Sequence, residues 1–178
     1  MKDAAVAGLY CDFHAQREQS TTNMLGAIIK QLVSGEEIPG HIREAFQKAK
    51  NERGGRGLQL PDMVEILKRT ITSLPRVFIC IDALDECTPR HRQALLESLQ
   101  DIVGVSPNIR VFLTARPNIN DEIVRHFIRV VRVPLSSTHA DIKSYLEMRL
   151  DQDDWPGGMY EELRGDIIRT ILETVSER

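Results

Sequence analysis

Lysine and arginine are not in excess in this chain: 23 of them face 26 aspartates and glutamates, for a formal net charge of -3. The clustered positive charge that nucleic acids and anionic membranes select is therefore missing, and the mixed charges read as solvated faces. Cysteine is scarce, with Cys11, Cys80 and Cys87 odd in number and forming no C-x-x-C pair. Neither a disulfide framework nor a zinc site is suggested, and a reduced, cytoplasmic compartment is expected. No uncharged apolar run approaches the roughly 18 residues of a membrane span, the N-terminus lacks a basic region followed by an apolar stretch, and no internal repeat is visible. These absences predict a soluble, unsecreted chain without a nucleic-acid or membrane partner.

What is present is enough for a core: 178 residues, 42% of them hydrophobic, suit one domain or most of one. Ala4 to Phe13, "AAVAGLYCDF", reads as a strand. Met24, Leu25, Ile28, Ile29, Leu32 and Val33 recur at helical spacing after a Ser-Thr-Thr start, and "SGEEIPG" ends that helix. A second helix carries Ile42, Ala45, Phe46 and Ala49 and stops at "NERGGRG", a charged, glycine-rich loop. Pro61 opens a third, with Met63, Val64, Leu67, Ile71 and Leu74 inward.

"VFICI", Val77 to Ile81, lacks polar alternation, which predicts a strand covered on both faces with Cys80 buried in it. Thr88 and Pro89 start a helix burying Leu95, Leu96, Leu99, Ile102 and Val103. Strands follow at Ile109 to Pro117 and, after a short helix, at Phe127 to Val133. Thr138 and Asp141 form a capping box for a helix with Ile142, Tyr145 and Leu146 on one side; "DDWPGG" is a loop, and Ile167 to Val175 give a last helix. Strands alternating with helices predict a three-layer α/β fold with a parallel sheet, in which ligands bind beyond the carboxyl ends of the strands.

In "RVFICIDALDEC" an apolar strand runs straight into three carboxylates. Asp82 at its carboxyl end and Arg116 beyond the next strand would face one crevice. A carboxylate there suits Mg²⁺, which binds through one or two carboxylates plus substrate phosphates. Asp85 and Glu86 are near enough to orient a water, and Arg116 carries the planar cation suited to a terminal phosphate. The plainer account is that Asp85 and Glu86 favour the N-terminal dipole of the next helix and that Arg116 makes a surface ion pair. His14, His41, His91, His126 and His139 lack metal-ligand spacing, Cys87 lacks an evident base, and Ser136, Ser137 and Thr138 read as caps.

"VFICIDALDEC" followed by "IRVFLTARP" resembles the Walker B and sensor 1 segments of NACHT domains, signalling P-loop NTPases of the STAND class. The type is the nephrocystin 3-like N-terminal module of fungal proteins that resemble NOD-like receptors. "LYCDFHAQREQSTTNMLGAIIKQL" resembles that module's second strand and helix, and "RVPLSSTHADIKSYLEMRL" its passage out of the sheet. The resemblance implies an αβα parallel sheet of P-loop NTPase type over residues 1–150, with 151–178 beginning a helical region. By position, Asp82 resembles the Mg²⁺-coordinating aspartate, Ala83 the small residue after it, Asp85 and Glu86 the additional acidic pair with a catalytic role, and Arg116 the nucleotide-sensing arginine. Many related ATPases have a catalytic Glu where this chain has Ala83, and losing a general base costs roughly 10²- to 10⁴-fold in rate. The implied device is thus a slow, ATP- or GTP-controlled switch that self-associates or engages protein partners.

One departure is large. No G-x-x-x-x-G-K-[ST] occurs, and "GGRG" at Gly54 to Gly57 has no following Lys-Ser or Lys-Thr. The match begins at the family's second strand, so the first strand and its P-loop are missing and the chain reads as a fragment, carrying no ankyrin, WD40 or other repeats. In the family that first strand lies between the strands matching "IRVFLTARP" and "FIRVVRV". Its loss would leave two edges unpaired and the isolated chain marginally stable. Mg²⁺ and ATP or GTP are expected in the full-length parent, with no tight binding by these residues alone. The rivals are a nucleotide-independent interaction scaffold and, third, a stand-alone Mg²⁺-dependent phosphohydrolase using Asp82, Asp85 and Glu86.

Overall fold

The computed structural model describes residues 3–35, 37–52, 57–127, 129–152 and 161–176. The chain divides into two compact units, Met1–Val130 and Val131–Arg178. In the first, β1 (Ala5–Tyr10) is followed by α1 (Thr21–Leu32), α2 (Gly40–Glu52), α3 (Leu60–Thr72), β2 (Val77–Asp82), α4 (Pro89–Val105), β3 (Ile109–Leu113) and α5 (Asn120–His126). Single 3₁₀ turns at Phe13–Ala15, Leu84–Glu86 and Pro117–Ile119 follow the three strands. The second unit contains α6 (His139–Asp151) and α7 (Glu161–Ser176).

The three strands form an open parallel sheet in the order β1-β2-β3, with Tyr10 beside Asp82 and Ile81 beside Leu113. Period-2 geometry sends Ala7, Val77, Ile79, Ile81 and Ile109 to one face, where they are buried with α1, α3 and α4. Each helix supplies a matching stripe: Met24, Leu25, Ile28 and Ile29 from α1, Ile66, Leu67 and Ile71 from α3, and Leu95, Leu96, Leu99 and Ile102 from α4. Ser20 caps α1 by accepting from Asn23 N–H at 3.2 Å. Past the end of α3, Asn108 Nδ2 donates to Ile71 O at 2.9 Å and Leu74 O at 2.6 Å, tying the residue before β3 to the turn that follows the helix.

The opposite face corrects the expectation of a sheet covered on both sides. Val6 is 62% exposed and Phe112 56% exposed, Tyr10 and Cys80 are exposed too, and Phe78 lies 6.3 Å from Phe112 between ring centroids. Cys80 is thus not a buried strand residue. The unbroken apolar run of β2 does signal two buried faces, but the described helices cover only one of them.

No strand forms over Phe127 to Val133 among the described residues; Ile128 lies outside them. A strand requires a neighbour to take its backbone hydrogen bonds, and among the described residues β3 is paired only with β2. Val131, Val133 and Leu135 are exposed accordingly. Val103, expected to be buried, is exposed, as are Phe46 on α2 and Tyr145 on α6. Residues 53–56 of the expected glycine-rich loop and the expected loop at "DDWPGG" from residue 153 onward lie outside the described residues, as does the side chain of Val175.

The outer edge of β1 is closed by side chains. Gln31 on α1 accepts from Gly8 N–H at 2.9 Å and donates to Gly8 O at 2.8 Å, so that its amide takes the place of a neighbouring peptide. Gln19 accepts from Asp12 N–H at 3.2 Å just beyond the strand. In the second unit Thr138 and Asp141 form the expected capping box, with Thr138 N–H donating to Asp141 at 2.8 Å and Asp141 N–H returning to Thr138 Oγ1 at 3.1 Å. Arg164 of α7 reaches Asp151 of α6 at 2.6 Å and joins the two helices. No described helix is long and apolar enough to cross a membrane.

Candidate functional site at the carboxyl ends of the strands

Asp82 is the last residue of β2, and the parallel register brings its loop between those that leave β1 and β3. Thr114, one residue past β3, clasps that loop. Its hydroxyl donates to Asp82 Oδ1 and accepts from Ala83 N–H at 2.9 Å, while its backbone takes Leu84 N–H at 2.9 Å and gives Thr114 N–H to Ile81 O at 2.9 Å. The clasp holds Ala83 in the left-handed region, φ 53° and ψ 45°, the only non-glycine residue with positive φ among those described. A side chain there costs roughly 1–2 kcal/mol, so the turn is maintained against local preference.

The three carboxylates diverge. Asp82 remains exposed beside Thr114. Asp85 turns toward the β3 side, accepting from Arg116 N–H at 3.1 Å and pairing with Arg116 Nε at 3.3 Å; its side chain is 9% exposed and that of Arg116 76%. Glu86 turns the other way and accepts from Phe13 N–H at 3.1 Å, while its carbonyl takes Gln16 Nε2 at 2.8 Å. Each acidic residue therefore ties one strand-end loop to another, and Arg116 occupies the ion pair that its chemistry allowed.

Behind these loops Arg92 of α4 is buried. It donates from Nη1 to Cys87 O at 2.9 Å and from Nε to Glu122 of α5 at 2.9 Å, anchoring the turn after Glu86. A cleft of about 530 Å³ opens beside this pair, lined by Arg90, Arg125 and His126 among others; Asp82, Asp85 and Arg116 do not line it.

No three His, Cys, Asp or Glu side chains stand close enough to form a metal cage among the described residues. Asp82 nevertheless fits Mg²⁺ as a single exposed hard-oxygen donor, because that ion keeps several waters and takes its remaining ligands from substrate phosphates. Thr114 is the residue that sequence reasoning missed. Its signal was alternation: Arg110, Phe112 and Thr114 fall on the open side of β3, the side on which Cys80 and Asp82 lie in β2.

The chain matches no curated protein and no solved structure. Residues 1–116, from the start of the chain through Arg116, match the family described as nephrocystin 3, N-terminal. This span contains all three strands and every residue of the clasp, and the chain belongs to the nephrocystin 3 N-terminal family.

Proposed function

We propose that these residues are the metal- and phosphate-facing half of a NACHT-type signalling NTPase, in which Asp82 would hold the Mg²⁺ that accompanies ATP or GTP. The observation that carries this reading is the clasp: an exposed aspartate at the carboxyl end of the middle parallel strand, oriented by Thr114 and flanked by Arg116. Mg²⁺ would neutralise phosphate charge there. Arg116, whose guanidinium lies largely in solvent, would exchange its pairing with Asp85 for a terminal phosphate, while Asp85 keeps the Arg116 N–H that it accepts. Asp85 and Glu86 would couple that exchange to the β3 and β1 loops they hold. With Ala83 next to Asp82 in place of a glutamate, hydrolysis is slow, which suits a switch that changes arrangement or self-associates on exchanging ADP for ATP.

No phosphate cradle of the G-x-x-x-x-G-K-[ST] kind lies within these residues, so the chain alone is expected to show no micromolar binding of Mg²⁺-ATP by calorimetry. Micromolar affinity would overturn the division of the site into halves. In a protein that joins these residues to such a cradle, Asp82→Asn should abolish Mg²⁺-dependent nucleotide binding; undiminished binding would refute the assignment of Asp82.

The open sheet face supports a second reading, a nucleotide-independent scaffold, since contiguous exposed apolar surface marks interaction sites. Partner capture and cellular output that survive Asp82→Asn and Arg116→Ala together would favour it.

A further inference from the structure

The cleft beside the Arg92–Glu122 pair is lined by Arg90 and Arg92 from the start of α4 and by Glu122, Arg125 and His126 from α5. At about 530 Å³ it has the size of a small-molecule site. Its charge is opposite to that of the chain. The whole sequence carries a formal -3, yet here three guanidiniums meet one carboxylate, and Glu122 is already committed to Arg92 at 2.9 Å. The three cations are held differently. Arg92 is buried, with Nε spent on Glu122 and Nη1 on Cys87 O; these bonds fix its plane and leave Nη2 without a partner among the described residues. Arg90 is exposed and makes no hydrogen bond or ion pair among the described residues. Arg125, also exposed, gives Nε to Asp121 O at 3.1 Å and keeps both Nη groups available. His126 is engaged through Nδ1 with Gln100 at 3.2 Å. No side chain caps α4 and no acidic residue stands in its first turn, so the positive end of that helix adds to the same field.

We propose that this cleft binds a phosphate monoester through Arg90, Arg92 and Arg125. A monoester carries a charge of about -1.5 to -2 at neutral pH, which matches the two guanidinium charges left once Glu122 has neutralised one. A single carboxylate would leave one of them unmatched. The planar forks of arginine suit phosphate oxygens, which they can take in pairs. Arg92 supplies the preorganised contact, because protein bonds set its orientation before a ligand arrives; Arg90 and Arg125 supply further donors from the two helices. Asp82 and Arg116 do not line the cleft, so it is a second anion site, separate from the one at the strand ends.

The test titrates the full chain with phenyl phosphate, with a phosphoserine peptide and with benzoate, by calorimetry at matched ionic strength. Both monoesters should bind with a dissociation constant between about 0.1 and 1 mM, and benzoate at least about tenfold more weakly. Arg90→Ala and Arg125→Ala should each weaken monoester binding roughly tenfold. Both side chains are exposed, so the urea midpoint of each variant should stay in place. Equal affinity for the two monoesters would assign the cleft to small phosphorylated molecules, and tighter binding of the peptide to phosphorylated protein segments. Absence of monoester binding, equal binding of benzoate, or an affinity that Arg90→Ala and Arg125→Ala leave unmoved would each overturn the proposal. Loss of binding on Arg116→Ala instead would overturn it too, by moving the phosphate to the strand ends, and none of these failures bears on Asp82.

Discussion

Replacing Glu122 by Leu strands a buried cation, and the cost can be worked from the surroundings of Arg92. Only 10% of the Arg92 side chain is exposed, its partner Glu122 is 23% exposed, and the two meet at 2.9 Å. Removing one member of a buried pair costs about 3–5 kcal/mol; with Glu122 partly wet, about 2–3 kcal/mol is expected. Arg92→Met leaves the carboxylate unpaired and also frees the Cys87 carbonyl, whose loss alone is worth about 1–2 kcal/mol. The double variant leaves no stranded charge. It should cost only the carbonyl's share, so the cycle should close with a coupling of at least about 2–3 kcal/mol. Urea unfolding followed by far-ultraviolet circular dichroism measures each arm. A Glu122→Leu variant destabilised by less than about 1 kcal/mol, or a double variant equal to the sum of the singles, would refute the claim that this pair anchors the turn after Glu86.

Two further outcomes are expected. Thr114→Val removes the hydroxyl from Asp82 and Ala83 N–H and, with solvent able to compensate in part, should destabilise by about 1–2 kcal/mol, whereas Thr114→Ser should stay within about 0.5–1 kcal/mol; equal losses in urea melts would dismiss the clasp. His41, bonded to Thr70 Oγ1 at 3.1 Å, is held below its ordinary value by burial and then by the Arg69 guanidinium. The unfolded chain therefore takes up this proton first, and stability should be unaffected above about pH 6.5 and fall as pH drops below it. His41→Gln should flatten that part of the stability profile, and an unchanged profile would show that His41 does not contribute.

The strands β1 to β3 and the helices α1, α3 and α4 were legible because each writes its period plainly: "VFICI" into a strand, Leu95, Leu96, Leu99 and Ile102 into a helical stripe, Thr88-Pro89 into a start. Phe127 to Val133 was not, because the same apolar character makes a strand only where a neighbouring strand accepts its hydrogen bonds. At the site, the end-of-strand rule located Asp82 and Arg116, but it could not foresee that Asp85 would engage Arg116 while Glu86 reached back to Phe13. Those pairings depend on the register of three strands, and register is a property of the assembled sheet.

Because the Gln31 amide occupies Gly8 on one flank, the sheet is asymmetric in how it can grow. A strand arriving beside β1 would have to displace a side chain that already satisfies the backbone there, whereas no strand pairs with the outer side of β3 among the described residues. Growth is therefore directional. Whatever extends this sheet, from the same polypeptide or another, has one vacant berth, and it lies next to the strand whose end carries Thr114 and Arg116.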